Sequence, residues 1–198
     1  MSSRQRKYWL MGRMKHSDRL TRIIMSDPLR WRLLAGVRSI GLPDCWIGAG
    51  FVRDAVWDVL HARPPSRPAA DVDVVWFDPG ATDPARDEAI EKDLAAREPD
   101  FDWSVKNQAR MHVRNGDAPY GSTENALRHW TETATAVAVR RTADDRCEIL
   151  APFGLSDLFE LRLSPPPNCA DAKRHAFRRR IKAKRWLERY PKLEIIDG

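Results

Sequence analysis

A glycine-rich turn, Gly48-Ala49-Gly50, precedes a carboxylate pair, Asp71 and Asp73, by about twenty residues, and one helical stretch lies between them. Cys45-Trp46-Ile47, ahead of the turn, reads as a short buried strand. Phe51 to His61, after it, reads as a helix with Val52, Ala55, Val56, Val59 and Leu60 inward. Asp71 to Asp78 is a β-rich strand ended by Pro79-Gly80. Residues two apart on a strand share a face, so both carboxylates project together. Two like charges that close repel unless a cation sits between them. Their oxygens suit Mg2+ (or Mn2+), a hard ion that takes carboxylates and substrate phosphates. A bare Asp-x-Asp equally describes a strand that begins in a polar loop with two solvated acids.

The turn weighs towards the first reading. Glycines let a phosphate approach the backbone, and the N–H groups that open a helix attract anions. Arg53 adds a bidentate positive fork. These residues make Gly48, Ala49, Gly50 and Arg53 candidate nucleotide contacts. Arg53 stands where a dinucleotide-binding turn would place its third glycine, which argues against that fold. The plainer alternative is a tight turn before a helix, with Asp54 favourable near the helix dipole.

Along the rest of the chain, Leu20, Ile23 and Ile24 begin a helical pattern, restarted at Asp27-Pro28 and stopped by Gly41 and Pro43. Pro84 to Arg97 is an amphipathic acidic helix. Residues 102–113 alternate with period two and predict a half-buried strand. Its polar side carries Lys106, Arg110 and His112, which suit a triphosphate or a solvated sheet face equally; Lys106 is the candidate nucleotide contact. Ser122 to Trp130 predicts a short helix, Thr131 to Arg140 a strand, and Cys147 to Leu150 its antiparallel partner. Leu155 to Leu163 predicts a helix, Ser164 to Pro167 a linker, and Ala170 to Arg189 one basic helix. The eight tryptophans fall at core-like positions and are expected to pack rather than to stack on bases.

Charge is unevenly placed. Residues 169–198 hold ten Lys/Arg against four acids, so the whole net charge of +6 resides there. Such a segment favours contact with nucleic acid through phosphates, or is simply a solvated helix. No apolar run approaches the roughly 20 residues of a membrane span, and the start does not read as a signal peptide. Cys45, Cys147 and Cys169 form neither a CxxC site nor a disulfide framework, so a reducing, cytoplasmic location is expected. The expected organisation is a flexible basic N-terminus (1–16), a domain (17–163), and a Pro-rich linker with a basic C-terminal helix (164–198).

Gly48 to Asp54 together with Asp71-x-Asp73 resemble the nucleotidyltransferase superfamily of DNA polymerase beta and the tRNA CCA-adding enzymes, which carry a Gly-Gly-x-Val-Arg-Asp turn and then Asp-x-Asp. Trp46 to Asp78, Trp103 to His112, Glu132 to Arg140 and Ala151 to Phe159 are similar to a bacterial nucleotidyltransferase-like family without an assigned reaction. The resemblance covers about residues 17–163. It implies an α+β (mixed α/β) polymerase-beta-like fold, with a mixed sheet flanked by helices and an appended C-terminal basic helix. It also implies Asp71 and Asp73 as catalytic metal ligands, an NTP donor, an acceptor left open, and transfer of an NMP group with loss of pyrophosphate. The superfamily's third acid should come from the strand 102–113, whose one acid is Asp102 at its start. Glu132 and Asp157 are alternatives from other elements. A missing third acid would instead imply altered chemistry, or an inactive nucleotide- or RNA-binding module.

Overall fold

The signals that start and stop helices at the N-terminal end operate as expected. A computed structural model describes residues 15–68, 71–167 and 169–196. Helix α1 spans His16–Met25 and α2 spans Pro28–Ile40. Asp27 caps α2 by accepting from the Leu29 and Arg30 N–H groups, and Gly41 ends it in the left-handed region. Of the N-terminal stretch 1–16, residues 1–14, with Trp9, lie outside the described residues, and His16 opens α1.

Strand β1 (Trp46–Gly48) runs into helix α3 (Gly50–Leu60), followed by β2 (Val72–Trp76), α4 (Pro84–Arg97) and β3 (Trp103–Asn107). Short helices α5 (Met111–Asn115) and α6 (Thr123–Leu127) lead to the hairpin of β4 (Ala138–Arg141) and β5 (Cys147–Leu150). Then come α7 (Ser156–Phe159), β6 (Arg162–Leu163), α8 (Asp171–Lys184), α9 (Trp186–Arg189) and β7 (Glu194–Ile195). The main sheet has the order β3-β2-β1-β4-β5, parallel only between β2 and β3. The fold is therefore α+β with a mixed five-stranded sheet. No helix among the described residues is long and apolar enough to cross a membrane.

Strand alternation divides the sheet into two unlike faces. Val72, Val74, Trp76, Val105, Ile47 and Val139 face the main core with Leu20, Ile24, Leu33, Leu34, Val52, Val56 and Leu94. The opposite face has a smaller apolar patch of Trp46, Val75, Leu127 and Ala138. Because this second face is thinly covered, it has room for a cavity.

Several expected elements change, and the strand expected over Asp71 to Asp78 is confined to Val72–Trp76, which leaves Asp71 ahead of it. The strand predicted over 102–113 ends at Asn107, followed by a 3-10 turn (Gln108–Arg110) and α5. Asn107 stops it: its side-chain oxygen accepts from the Ala109 N–H at 3.0 Å, and its amide donates to the Asp78 and Ala81 carbonyls. The strand predicted from Thr131 begins only at Ala138, because the N–H groups of Thr135 and Ala136 both bond the Glu132 carbonyl and turn the chain. Leu155 to Leu163 likewise gives the single turn α7 and then strand β6.

The C-terminal segment, expected as one appended helix, is broken at Arg185, which adopts φ 51° and ψ 34°. Phe177, Ile181, Trp186, Tyr190 and Leu193 belong to the main core, and β7 pairs in parallel with β6. Trp57 meets Trp186 and Tyr190 edge-on, at ring-centre distances of 5.9 and 5.2 Å. The basic side chains of α8 are thus carried on a helix anchored in the same core as the sheet.

Candidate functional site

The register of the sheet brings the turn and the acid pair together. Trp46 pairs with Val75 and Ile47 with Val74, and one step further the same antiparallel ladder sets Gly48 level with Asp73. Asp73 pairs on its other side with Ser104, and Val75 with Lys106. Asp73, Val75, Ser104 and Lys106 accordingly share the thinly covered face, and all four line a cavity of about 440 Å3. Ala49 closes one end. His129 to Glu132 and the α8 residues Lys173, Ala176 and Arg180 form the opposing wall.

The turn is built differently from a glycine pair. A Cβ on Gly48 would stand 3.1 Å from the Val137 carbonyl oxygen and 3.2 Å from the Trp130 ring, so this position admits no side chain without displacement. The positive φ falls on Ala49, at φ 53° and ψ −127°. Gly50 has ordinary clearance.

Arg53 does not line the cavity. It is buried, with Nη2 2.7 Å from Asp54 Oδ1, Nη1 donating to Thr135 Oγ1 at 3.2 Å, and its plane over the Trp57 and Trp186 rings. The place expected for it, against nucleotide on the cavity, is therefore not where the structure puts it, and its charge reaches Asp73 from outside the cavity lining. Lys106 lines the cavity with its ammonium 2.6 Å from Glu91 Oε1. Arg110 and His112, expected beside Lys106, leave that face where the strand ends. Arg110 pairs with Asp87, and His112 Nδ1 lies 3.0 Å from the Ala109 carbonyl.

The carboxylates are placed unequally. Asp73 is partly buried on the cavity, whereas Asp71 is exposed one residue ahead of β2 and does not line it. Burial pushes the Asp73 carboxyl above its ordinary value and the charge of Asp71 adds to this, against the opposing charges of Arg180, Arg53 and Lys184. Of the three candidate third acids, Glu132 lines the cavity with Asp73. Its side chain is 1% exposed, Oε1 lacks a hydrogen bond, and Arg180 Nε stands 3.0 Å away. Burial pushes Glu132 upward too, opposed by Arg180 and Arg53. Asp102 is exposed ahead of β3 with its carbonyl bound to the Val72 N–H. Asp157 accepts the Thr133 hydroxyl at 2.5 Å. Neither lines the cavity.

Among the described residues, no group of three or more His, Cys, Asp or Glu side chains is gathered as metal ligands. A pair of carboxylates, one of them half-buried and electrostatically unfavourable beside the other, still fits a cation that completes its shell with waters and substrate phosphate. The cavity cations Lys173 and Arg180, with the nearby residues Arg114, Asn115, His129 and Trp130, were not singled out by sequence patterning. Lys173, Ala176 and Arg180 recur at helical spacing beside the apolar Phe177 and Ile181, and that spacing is the signal that marks the face.

The setting of the site is thus a mixed sheet that carries Asp73, with Ala49 of the turn, on one cavity. The chain belongs to the nucleotidyltransferase family, whose model matches residues 35–195. Among solved structures, it is similar to an NMR structure described as revealing a CCA-adding enzyme head domain, with TM-score 0.84, 28% identity, 95% of this chain covered and 100% of that one. Two structures of a tRNA-processing enzyme, an apo form and a complex, align with TM-scores of 0.51 and 0.52 at 18% and 19% identity, covering 83% of this chain. They share the fold, and the aligned part is 44% and 43% of their length. A comparison with curated proteins found no match.

Proposed function

We propose that the chain transfers an NMP group from an NTP to an acceptor hydroxyl in a Mg2+-dependent reaction. The observation that carries this reading is the pairing of Asp73 with Ser104 on the floor of a cavity that Ala49 of the turn also lines, with Lys173 and Arg180 among its other lining residues. Asp71 and Asp73 would hold Mg2+ (or Mn2+), which neutralises charge on the triphosphate and polarises the reacting oxygens when bound. The turn at Gly48-Ala49-Gly50 presents backbone to the phosphates, while Lys106 and the α8 cations balance their charge. The acceptor oxygen bonds the α-phosphorus, the bond to the β-phosphate oxygen breaks, and pyrophosphate leaves. In this reading Glu132 would take the acceptor's proton: of the three candidate third acids it is the one that lines the cavity with Asp73, while Asp71 would reach the ion from the cavity's edge, just ahead of β2.

RNA is the first acceptor class to test, given the tRNA-processing enzymes of the same fold and the exposed Arg179 and Lys182 of α8. Three free cysteines suit the reducing cytoplasm. Labelled NTP binding and pyrophosphate release, with and without Mg2+, test the reading. The double variant Asp71→Ala/Asp73→Ala is expected to lose Mg2+-dependent NTP binding; unchanged affinity would sink the proposal. One observation favours an inactive binding module instead: Glu132 is already engaged by Arg180. Pyrophosphate release with any acceptor rejects that alternative.

A further inference from the structure

Three cations along the cavity have carboxylate partners, and the partners differ in kind. Lys106 pairs with Glu91 at 2.6 Å and Lys173 with Asp117 at 2.7 Å, and neither Glu91 nor Asp117 lines the cavity. Arg180 pairs with Glu132, at 3.0 Å from Oε1 and 3.2 Å from Oε2, and here both members line it. The pair is lopsided in exposure: 38% for the arginine side chain against 1% for the glutamate. Arg180 also lies over the Trp186 ring at 5.6 Å and is first among the cations whose charge offsets that of Asp73.

An anion entering this cavity meets Arg180 from its solvent side, with Glu132 as the buried competitor for the same guanidinium. A phosphate offers more charge and more acceptor oxygens than a carboxylate and fits the planar fork equally well. Where it sits Glu132 is buried and its Oε1 has no hydrogen bond, so Arg180 is the charged partner that it would lose. Once displaced, its open direction is the cavity that it shares with Asp73.

We propose that Arg180 and Glu132 are an exchange pair: incoming polyphosphate takes Arg180 from Glu132, and Glu132 thereby joins Asp73 as part of the acid set. Arg180 is then a positioning residue, and α8 delivers the group that keeps the acids apart until substrate is present. The mechanism rests on the nucleotidyl-transfer reading for its purpose, and the exchange itself requires no turnover.

The test uses the full chain with inorganic tripolyphosphate in excess EDTA, read by calorimetry, so neither metal nor reaction contributes. Glu132→Gln removes the competing charge and is expected to tighten binding about 3- to 10-fold, the effect of a partly exposed ion pair. Arg180→Gln should weaken binding about 10-fold, and Arg180→Lys should recover part of it, since lysine keeps the charge and loses the fork. The decisive reading is the cycle: in the Arg180→Gln background, Glu132→Gln should no longer tighten binding. A general field effect of removing one negative charge would persist there, and persistence overturns the proposal. Unchanged affinity in Glu132→Gln alone does so as well. If Arg180→Gln does not fold, the same cycle on Arg180→Lys should show reduced tightening, and full tightening overturns it. Failure of this cycle leaves the Mg2+-dependent Asp71/Asp73 test standing, and failure of that test leaves the metal-free cycle readable.

Discussion

Trp76 donates its indole N–H to Asp87 at 2.8 Å, and this single bond ties the end of β2 to the first turn of α4. Asp87 is 1% exposed and also accepts the Asn107 N–H and the Arg110 guanidinium. It therefore fixes where β3 ends and where its residues Ser104 and Lys106 stand. Asp87→Ala would leave two buried donors, and the partly buried Arg110 guanidinium, without their acceptor, and the expected loss is roughly 3 kcal/mol. Asp87→Asn keeps the shape and part of the bonding and should lose less. Urea denaturation of both variants measures the difference; an Asp87→Ala protein within about 1 kcal/mol of wild type would show that the cluster is not essential to the fold.

Asp54 has a related role one layer behind the cavity. It holds Arg53, and its other oxygen lies 3.4 Å from Arg189 in α9. Ser66 joins the same group by accepting from the Arg189 guanidinium at 2.7 Å. Removing the carboxylate leaves a buried guanidinium with Thr135 and two indole rings as company. Asp54→Ala is expected to cost roughly 3 kcal/mol, as for a broken buried pair, and to weaken nucleotide binding indirectly. Thermal melts and NTP titrations of the variant check both parts. Normal stability with lost binding would place Asp54 in contact with ligand instead.

How far the sequence foretold these arrangements depended on what kind of signal each residue carried. Helix α4 was legible to the residue because Asp83, Pro84 and the apolar spacing of Ile90 and Leu94 all act locally. Asp73 was legible as a strand residue because strand alternation is local too, whereas Asp71, expected on the same strand, precedes β2 and does not line the cavity. Asn107 was misread as one more strand residue, since its side chain spends its bonds on Asp78, Ala81 and Ala109, partners that only the folded chain supplies. Arg53 looked like a phosphate ligand by position in its turn, and tertiary contact with Thr135, Trp57 and Trp186 turned it inward. Glu132 could not be chosen over Asp102 and Asp157 by spacing, because its place on the cavity that Asp73 also lines depends on a turn between α6 and β4 and on α8, some 48 residues further along.

Asp117 gives the rim of the cavity a defined response to acid. Burial raises its carboxyl, but hydrogen bonds from Lys173 and Tyr120, with the charges of His129 and Lys173, prevail and hold it below its ordinary value of 3.8. Burial and the bond to Asp117 push the Tyr120 hydroxyl up to about 12, so it remains the donor. A carboxyl whose value is lowered by folding binds fewer protons folded than unfolded. Its stabilisation is therefore present above pH 3.8 and lost as pH falls through the lower, folded value. Asp117→Asn should cost about 1 to 2 kcal/mol at neutral pH. The gap from wild type should close progressively below about pH 3.8, in urea midpoints taken from pH 7 downward. A gap independent of pH would show that packing, not charge, is what Asp117 contributes.

Ala49 is the residue at which turn geometry and side chain disagree. At φ 53° and ψ −127° it occupies backbone space that glycine enters freely and an L side chain enters at a cost of about 1 to 3 kcal/mol. The turn survives because both ends are held: Ala49 donates its N–H to the Val137 carbonyl at 3.1 Å, and its own carbonyl accepts from Val52 and Arg53 to start α3. Ala49→Gly removes the strain and adds chain entropy worth about 0.5 to 1 kcal/mol to the unfolded state. The net expectation is a gain of about 1 kcal/mol, or roughly 2 to 4 °C in Tm. Ala49→Val should move the other way by about 2 kcal/mol, since a β-branched side chain tolerates this conformation least. Because Ala49 lines the cavity, the glycine variant also exposes more backbone to a phosphate, and NTP affinity should hold or rise. A destabilised Ala49→Gly protein would mean that the methyl group earns its place by packing, and that the strain at this turn is smaller than its angles imply.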